Sequence, residues 1–165
     1  MESSNLTKPM TAEVISTDQL LAHWQGHRQL TRRVIEAFPE DQLFTFSIGG
    51  MRPFGEMAKE LLGIAVPGAK GMATEEWETL DENMDLEGSK EKLLAAWDKA
   101  TEELNHWWAK IPSDHFQDTV VAFGQYKDKV YCSILYFIDN EIHHRAQAYV
   151  YLRALGITPP NFWER

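Results

Sequence analysis

Asn140 and His144 stand four residues apart in the run Ile138-Asp139-Asn140-Glu141-Ile142-His143-His144-Arg145-Ala146-Gln147. On an α-helix that spacing stacks the two side chains on one face, where an imidazole nitrogen and an amide oxygen can grip one ion. Metal sites in helical bundles are built from side chains that project inward from facing helices. Glu60 is the carboxylate placed to join such a site: it falls on the helically spaced line Pro53, Met57, Glu60, Ile64, and it either pairs with a basic neighbour or points into the bundle. Imidazole and carboxylate are ordinary ligands for zinc, nickel, iron or manganese, whereas a neutral amide oxygen is a poorer donor. His23 and His27 are also four apart, but an isolated pair at that spacing reads first as two amphipathic helix residues, with His27 at the edge of the core. His143 lies about a hundred degrees around the helix from His144 and is not expected to share its ligand face.

Four helices must carry these groups. The first opens at Ser16 or Thr17, where Ser16-Thr17-Asp18-Gln19 has the form of a capping box, and Leu20, Trp24, His27, Thr31, Val34 and Phe38 then draw one stripe until Pro39. The second is expected from about Arg52 to Ala65, started by Pro53 and stopped by Val66-Pro67-Gly68. Pro67 to Gly88 reads as a long acidic connection anchored by Trp77 and Leu80, too long for an antiparallel hairpin, so it implies a crossover that leaves helices two and three parallel. Helix three runs from Ser89 to about Lys110 on Leu93, Trp97, Ala100, Leu104 and Trp107. Thr119 to Phe123 reads as an extended segment without a strand partner, and Asp128 as the cap of a fourth helix that reaches Leu155 and ends at Gly156. The fold class is all-α: one four-helix bundle over residues 16–165, with a long crossover, behind a flexible tail at 1–15.

A chain of 165 residues fits one domain able to bury a sizeable core without staples. Its single cysteine, Cys132, excludes an intrachain disulfide, fits a reducing compartment, and reads as a small buried core residue. Met1 to Met10 lacks the basic flank and apolar centre of a signal peptide, and no run is long and apolar enough to span a membrane, so a soluble cytoplasmic protein is expected. A formal net charge of −9 repels a polyanion, which argues against nucleic-acid binding.

Phe54-Gly55-Glu56-Met57-Ala58, His144-Arg145-Ala146-Gln147, Leu21-Ala22-His23-Trp24 with Arg28, and Leu152-Arg153-Ala154-Leu155-Gly156-Ile157 together resemble the DinB-like (YfiT-like) family of four-helix-bundle metalloenzymes. The family's three ligand histidines map onto Glu60, Asn140 and His144, so two of the three are changed and a weaker site is implied. What the resemblance implies is a divalent transition metal held by those three residues, with His27 or Tyr151 lining the pocket, acting on a low-molecular-weight thiol or on water as an S-transferase or hydrolase. The alternative is a metal-free homodimeric interaction protein of the same fold. In that reading Trp107-Trp108 and Phe162-Trp163 form an apolar surface for a second copy, and a homodimer is expected under either.

Overall fold

The computed structural model describes residues 13–81 and 84–165, so most of the expected tail lies outside the described residues. Its order is α1 (Thr17–Ala37), α2 (Phe54–Thr74), α3 (Lys90–Trp108), a short 3-10 turn (Ser113–Gln117), β1 (Thr119–Ala122), β2 (Tyr126–Lys129) and α4 (Val130–Ala154). The Ser16 capping box forms as expected: its Oγ accepts from the Gln19 amide at 3.1 Å, and its own amide donates to Gln19 Oε1 at 2.9 Å. Ser89 caps α3 with its side chain alone, accepting from the Lys92 amide at 3.3 Å.

The helices pack in the cyclic order α1, α3, α2, α4. Lys90, at the start of α3, donates to the Phe38 carbonyl just past α1, while Gln25 near the start of α1 reaches Thr101 on α3, so these two helices are antiparallel. Phe38 stacks on Phe54, which places the end of α1 beside the start of α2. Helices α2 and α3 therefore begin at the same end of the bundle and run parallel, joined by the crossover. Trp77 and Leu80 pack against the core and hold that crossover down.

Three expectations are corrected. Helix α2 does not stop at Ala65; it runs through Pro67 to Thr74 and ends on Glu75 in the left-handed conformation, whose amide donates to the Gly71 carbonyl. An interior proline costs ~3 kcal/mol, but Ala69 and Met72 beyond it are buried, and a large apolar side chain gains about 1.5–3 kcal/mol on burial. The segment Thr119–Ala122 does have a partner: it pairs antiparallel with Tyr126–Lys129, from Thr119 opposite Lys129 to Ala122 opposite Tyr126. Asp128 consequently lies within β2, opposite Val120, rather than capping α4, whose N-cap is Lys129 without a side-chain cap.

Two apolar clusters fill the bundle. One gathers Val34, Phe38, Phe54, Leu93 and Leu152 at the end where α2 begins; the other gathers Trp24, Met72, Leu104, Ile134 and Phe137 at the opposite end. Between them lies a polar layer, in which Arg28, Thr31, Glu141, His144 and Arg145 are all buried.

Candidate functional site

The polar layer divides on the two sides of α4. Because one residue advances about 100° around a helix, Asn140 and His144 face α2 while Glu141 and Arg145 face α1.

On the α2 side the structure brings Glu60, Asn140 and His144 together. Glu60 Oε1 accepts from Asn140 Nδ2 at 2.9 Å and lies 3.2 Å from His144 Nε2, and its other oxygen takes the Arg52 guanidinium. These partners, His144 first, hold the Glu60 carboxyl down at about 2 against the opposing effect of burial. His144 Nδ1 faces Gln147 Oε1 at 3.3 Å, and Gln147 Nε2 faces His143 Nε2 at 3.1 Å, so the imidazole is oriented from behind. Two donors sharing one ion at bond lengths of about 2.1 Å stand roughly 3.0–3.4 Å apart. The separation of Oε1 and Nε2 fits that span. Asn140 offers Oδ1 only when its amide turns over and gives up its bond to Glu60. Among the described residues no three His, Cys, Asp or Glu side chains gather in metal-holding geometry, and an ion here would have only a carboxylate, an imidazole and this amide for donors.

Glu60 also forms part of the wall of a cavity of about 620 Å3. Its apolar side is Ile64, Leu80, Phe123 and Phe137; Lys127, Asp128, Ser133 and Cys132 supply polar groups. Cys132 is thus half-buried on a cavity wall rather than enclosed in the core, because the hairpin stands over the start of α4. Phe123 adopts φ 53°, an uncommon conformation for a side-chain-bearing residue, and its ring packs on Trp77 and Phe137. That backbone turn brings the ring to the cavity.

Neither His27 nor Tyr151 lines this cavity. Tyr151 is fully buried and donates its hydroxyl to the Arg52 carbonyl at 3.0 Å, with Phe46 set edge-on against its ring. It fixes the backbone from which Arg52 reaches Glu60. His27 lies on the α1 side, with Arg145 at Nδ1 and Arg165 at Nε2, each at 2.9 Å, and with His23 Nε2 3.2 Å away. Burial first, then these cationic neighbours, push its pKa down to about 3.

Arg145 ties α4 to α1. It donates to the His27 carbonyl and to Thr31 Oγ1, and Thr31 in turn donates to Glu141 Oε1 at 2.6 Å. Glu141 Oε1 lies 3.9 Å from the Arg145 guanidinium. Arg28, fully buried, stacks over Trp97 at 4.4 Å, and the Trp97 indole donates to the Arg28 carbonyl. Burial raises the Glu141 carboxyl and lowers both guanidinium groups. Arg52 is the Glu60 partner that sequence reasoning missed: it precedes α2, and the only sequence signal was an arginine eight positions before Glu60.

The chain matches the DinB family model over residues 8–165 and belongs to that family. A DinB-like protein from Bacillus cereus superposes with a TM-score of 0.72 at 16% identity, over 88% of this chain and 97% of that one. A second DinB-like protein, YjoA from Bacillus subtilis, gives 0.68 at 20% identity, over 89% and 98%. No curated protein matches the chain. The two superpositions establish the all-α bundle and its connectivity.

Proposed function

We propose that this member of the DinB family binds a small molecule in the cavity beside Glu60 and holds a divalent transition metal, zinc, nickel, iron or manganese, on Glu60, His144 and Asn140. The reaction is of the S-transferase or hydrolase type, on a low-molecular-weight thiol or on water. One observation carries this reading: Glu60, the one member of the triad on the cavity wall, links the polar triad to the space where a substrate fits. Such an ion, when bound, lowers the pKa of a thiol or water beside it.

The chain's own residues do the rest. Gln147 turns the His144 ring toward Glu60, and Phe123, Phe137, Ile64 and Leu80 exclude water from one side of the substrate. The decisive measurement is metal content by plasma mass spectrometry on tag-free protein, beside His144→Ala. About one equivalent in the parent and none in the variant is expected. Parent protein that carries no metal and takes up no added zinc, nickel or manganese would remove this reading.

A second reading is favoured by Arg52, which already gives the Glu60 carboxylate a counter-charge. In it the triad is a metal-free polar core, and the protein acts as a homodimeric binding module. Its surface is narrower than the tryptophan pattern suggests. Trp108 is buried against Trp24 and Phe116, whereas Phe162 and Trp163 are exposed and in contact with each other. A homodimer through this pair predicts a monomer for Trp163→Ser by sedimentation, and an unchanged sedimentation coefficient rejects it.

A further inference from the structure

Glu60 is the only anionic member of the donor set, and its charge is already answered. Arg52 contacts Oε2, while Asn140 and His144 share Oε1. The guanidinium offsets the carboxylate, so a dication arriving at Glu60 meets a resident cation. Charges a few ångströms apart interact strongly near a protein surface, where the effective dielectric is well below that of water.

The anchoring of Arg52 is asymmetric. Its backbone is fixed: the Tyr151 hydroxyl donates to its carbonyl at 3.0 Å, and Pro53, which follows, opens α2. Its side chain is 46% exposed, against 13% for that of Glu60, so solvent reaches the guanidinium far more readily than the carboxylate. A tethered cation on a fixed stem beside the one anionic ligand is the arrangement expected of a competitor.

We infer that Arg52 competes with the divalent ion for Glu60, weakening metal affinity and leaving the site readily exchangeable. This rests on the metal reading above. The opposite role is also physically defined: a partner that orients a ligating carboxylate strengthens the site, and its loss weakens binding. The two roles differ in the sign of one measurable quantity.

The test is calorimetric titration of zinc into chelator-stripped, full-length protein near neutral pH, with Arg52→Met, Arg52→Lys and His144→Ala alongside the parent. Removing the charge in Arg52→Met should tighten zinc binding by about tenfold, while Arg52→Lys, which keeps a cation on the same stem, stays within about threefold of the parent. Unchanged thermal unfolding of both Arg52 variants establishes that the fold is intact. Equal or weaker binding by Arg52→Met, with parent binding abolished in His144→Ala, overturns competition and leaves the metal site standing. Parent and Arg52→Met protein that both fail to bind zinc, or binding that survives His144→Ala, removes the metal reading and this inference together.

Discussion

His144 on α4 and Glu60 on α2 meet across the bundle with Nε2 and Oε1 3.2 Å apart, and Asn140, one turn before His144, bonds the same carboxylate oxygen. That convergence makes Asn140 the position where the strength of the donor set can be changed most directly. Replacing its amide by an imidazole supplies a second nitrogen ligand on the same helical face. Asn140→His is expected to bind zinc at least about tenfold more tightly than the parent, by competition with a chromogenic chelator. An affinity no greater than the parent's would mean that the ligand face is not where the triad places it.

Acid should act on the other side of α4. The unfolded chain protonates His27 below about pH 6.5, whereas the folded chain, with Arg145 and Arg165 at the ring nitrogens, resists until about 3. Stability attached to neutral His27 is therefore complete above the unfolded value and is lost progressively as pH falls from there toward the folded one. The loss approaches ~1.4 kcal/mol per pH unit at most, and solvent around Arg165 reduces it. Urea midpoints measured across this window should fall less steeply for His27→Gln than for the parent. Parallel slopes would show that His27 is not the group responsible.

Gly68 sits under Phe137, where an added Cβ would lie 2.6 Å from the ring. The ring is buried and packs against Trp24 and Phe123, so it cannot yield easily. Gly68→Ala gains helix propensity worth up to about 1 kcal/mol, but overpacking costs about 1–3 kcal/mol. Net destabilisation is expected, read as a lower urea midpoint at unchanged slope. A higher midpoint would show that the aromatic cluster relaxes freely.

Features governed by local signals are legible in the sequence alone. Ser16 and Gln19 cap one another within a single turn, and the stripe through Leu93, Trp97, Ala100 and Leu104 faces the core along all of α3. The parallel run of α2 and α3 also follows from the chain length between periodic segments, although α2 takes up the first part of the expected crossover, from Pro67 to Thr74. Nonlocal effects are not legible there. Pro67 reads as a stop because its local cost is visible, while the burial of Met72 that offsets it depends on other helices. Thr119 to Phe123 reads as an unpaired extended segment because the partner of Thr119–Ala122, Tyr126–Lys129, is polar and exposed and lacks an apolar alternation. Helical spacing and family resemblance point to Glu60, Asn140 and His144, but the Arg52 guanidinium reaches Glu60 through a loop conformation set by Tyr151, ninety-nine positions away. His27 shares a stripe with core residues, yet spacing along α1 does not say which face of α4 it meets.

The hairpin between α3 and α4 contributes Ala122, Phe123, Gln125, Tyr126, Lys127 and Asp128 to the cavity, whereas Glu60, Asn140 and His144 all belong to helices. A short contiguous stretch thus supplies much of one wall, and the triad comes from positions far apart in the chain. Ala122 and Phe123 are buried in the apolar cluster around Trp24, so they tie that stretch to the helical core, whereas Gln125, Tyr126 and Lys127 are exposed and can change the cavity wall without touching it.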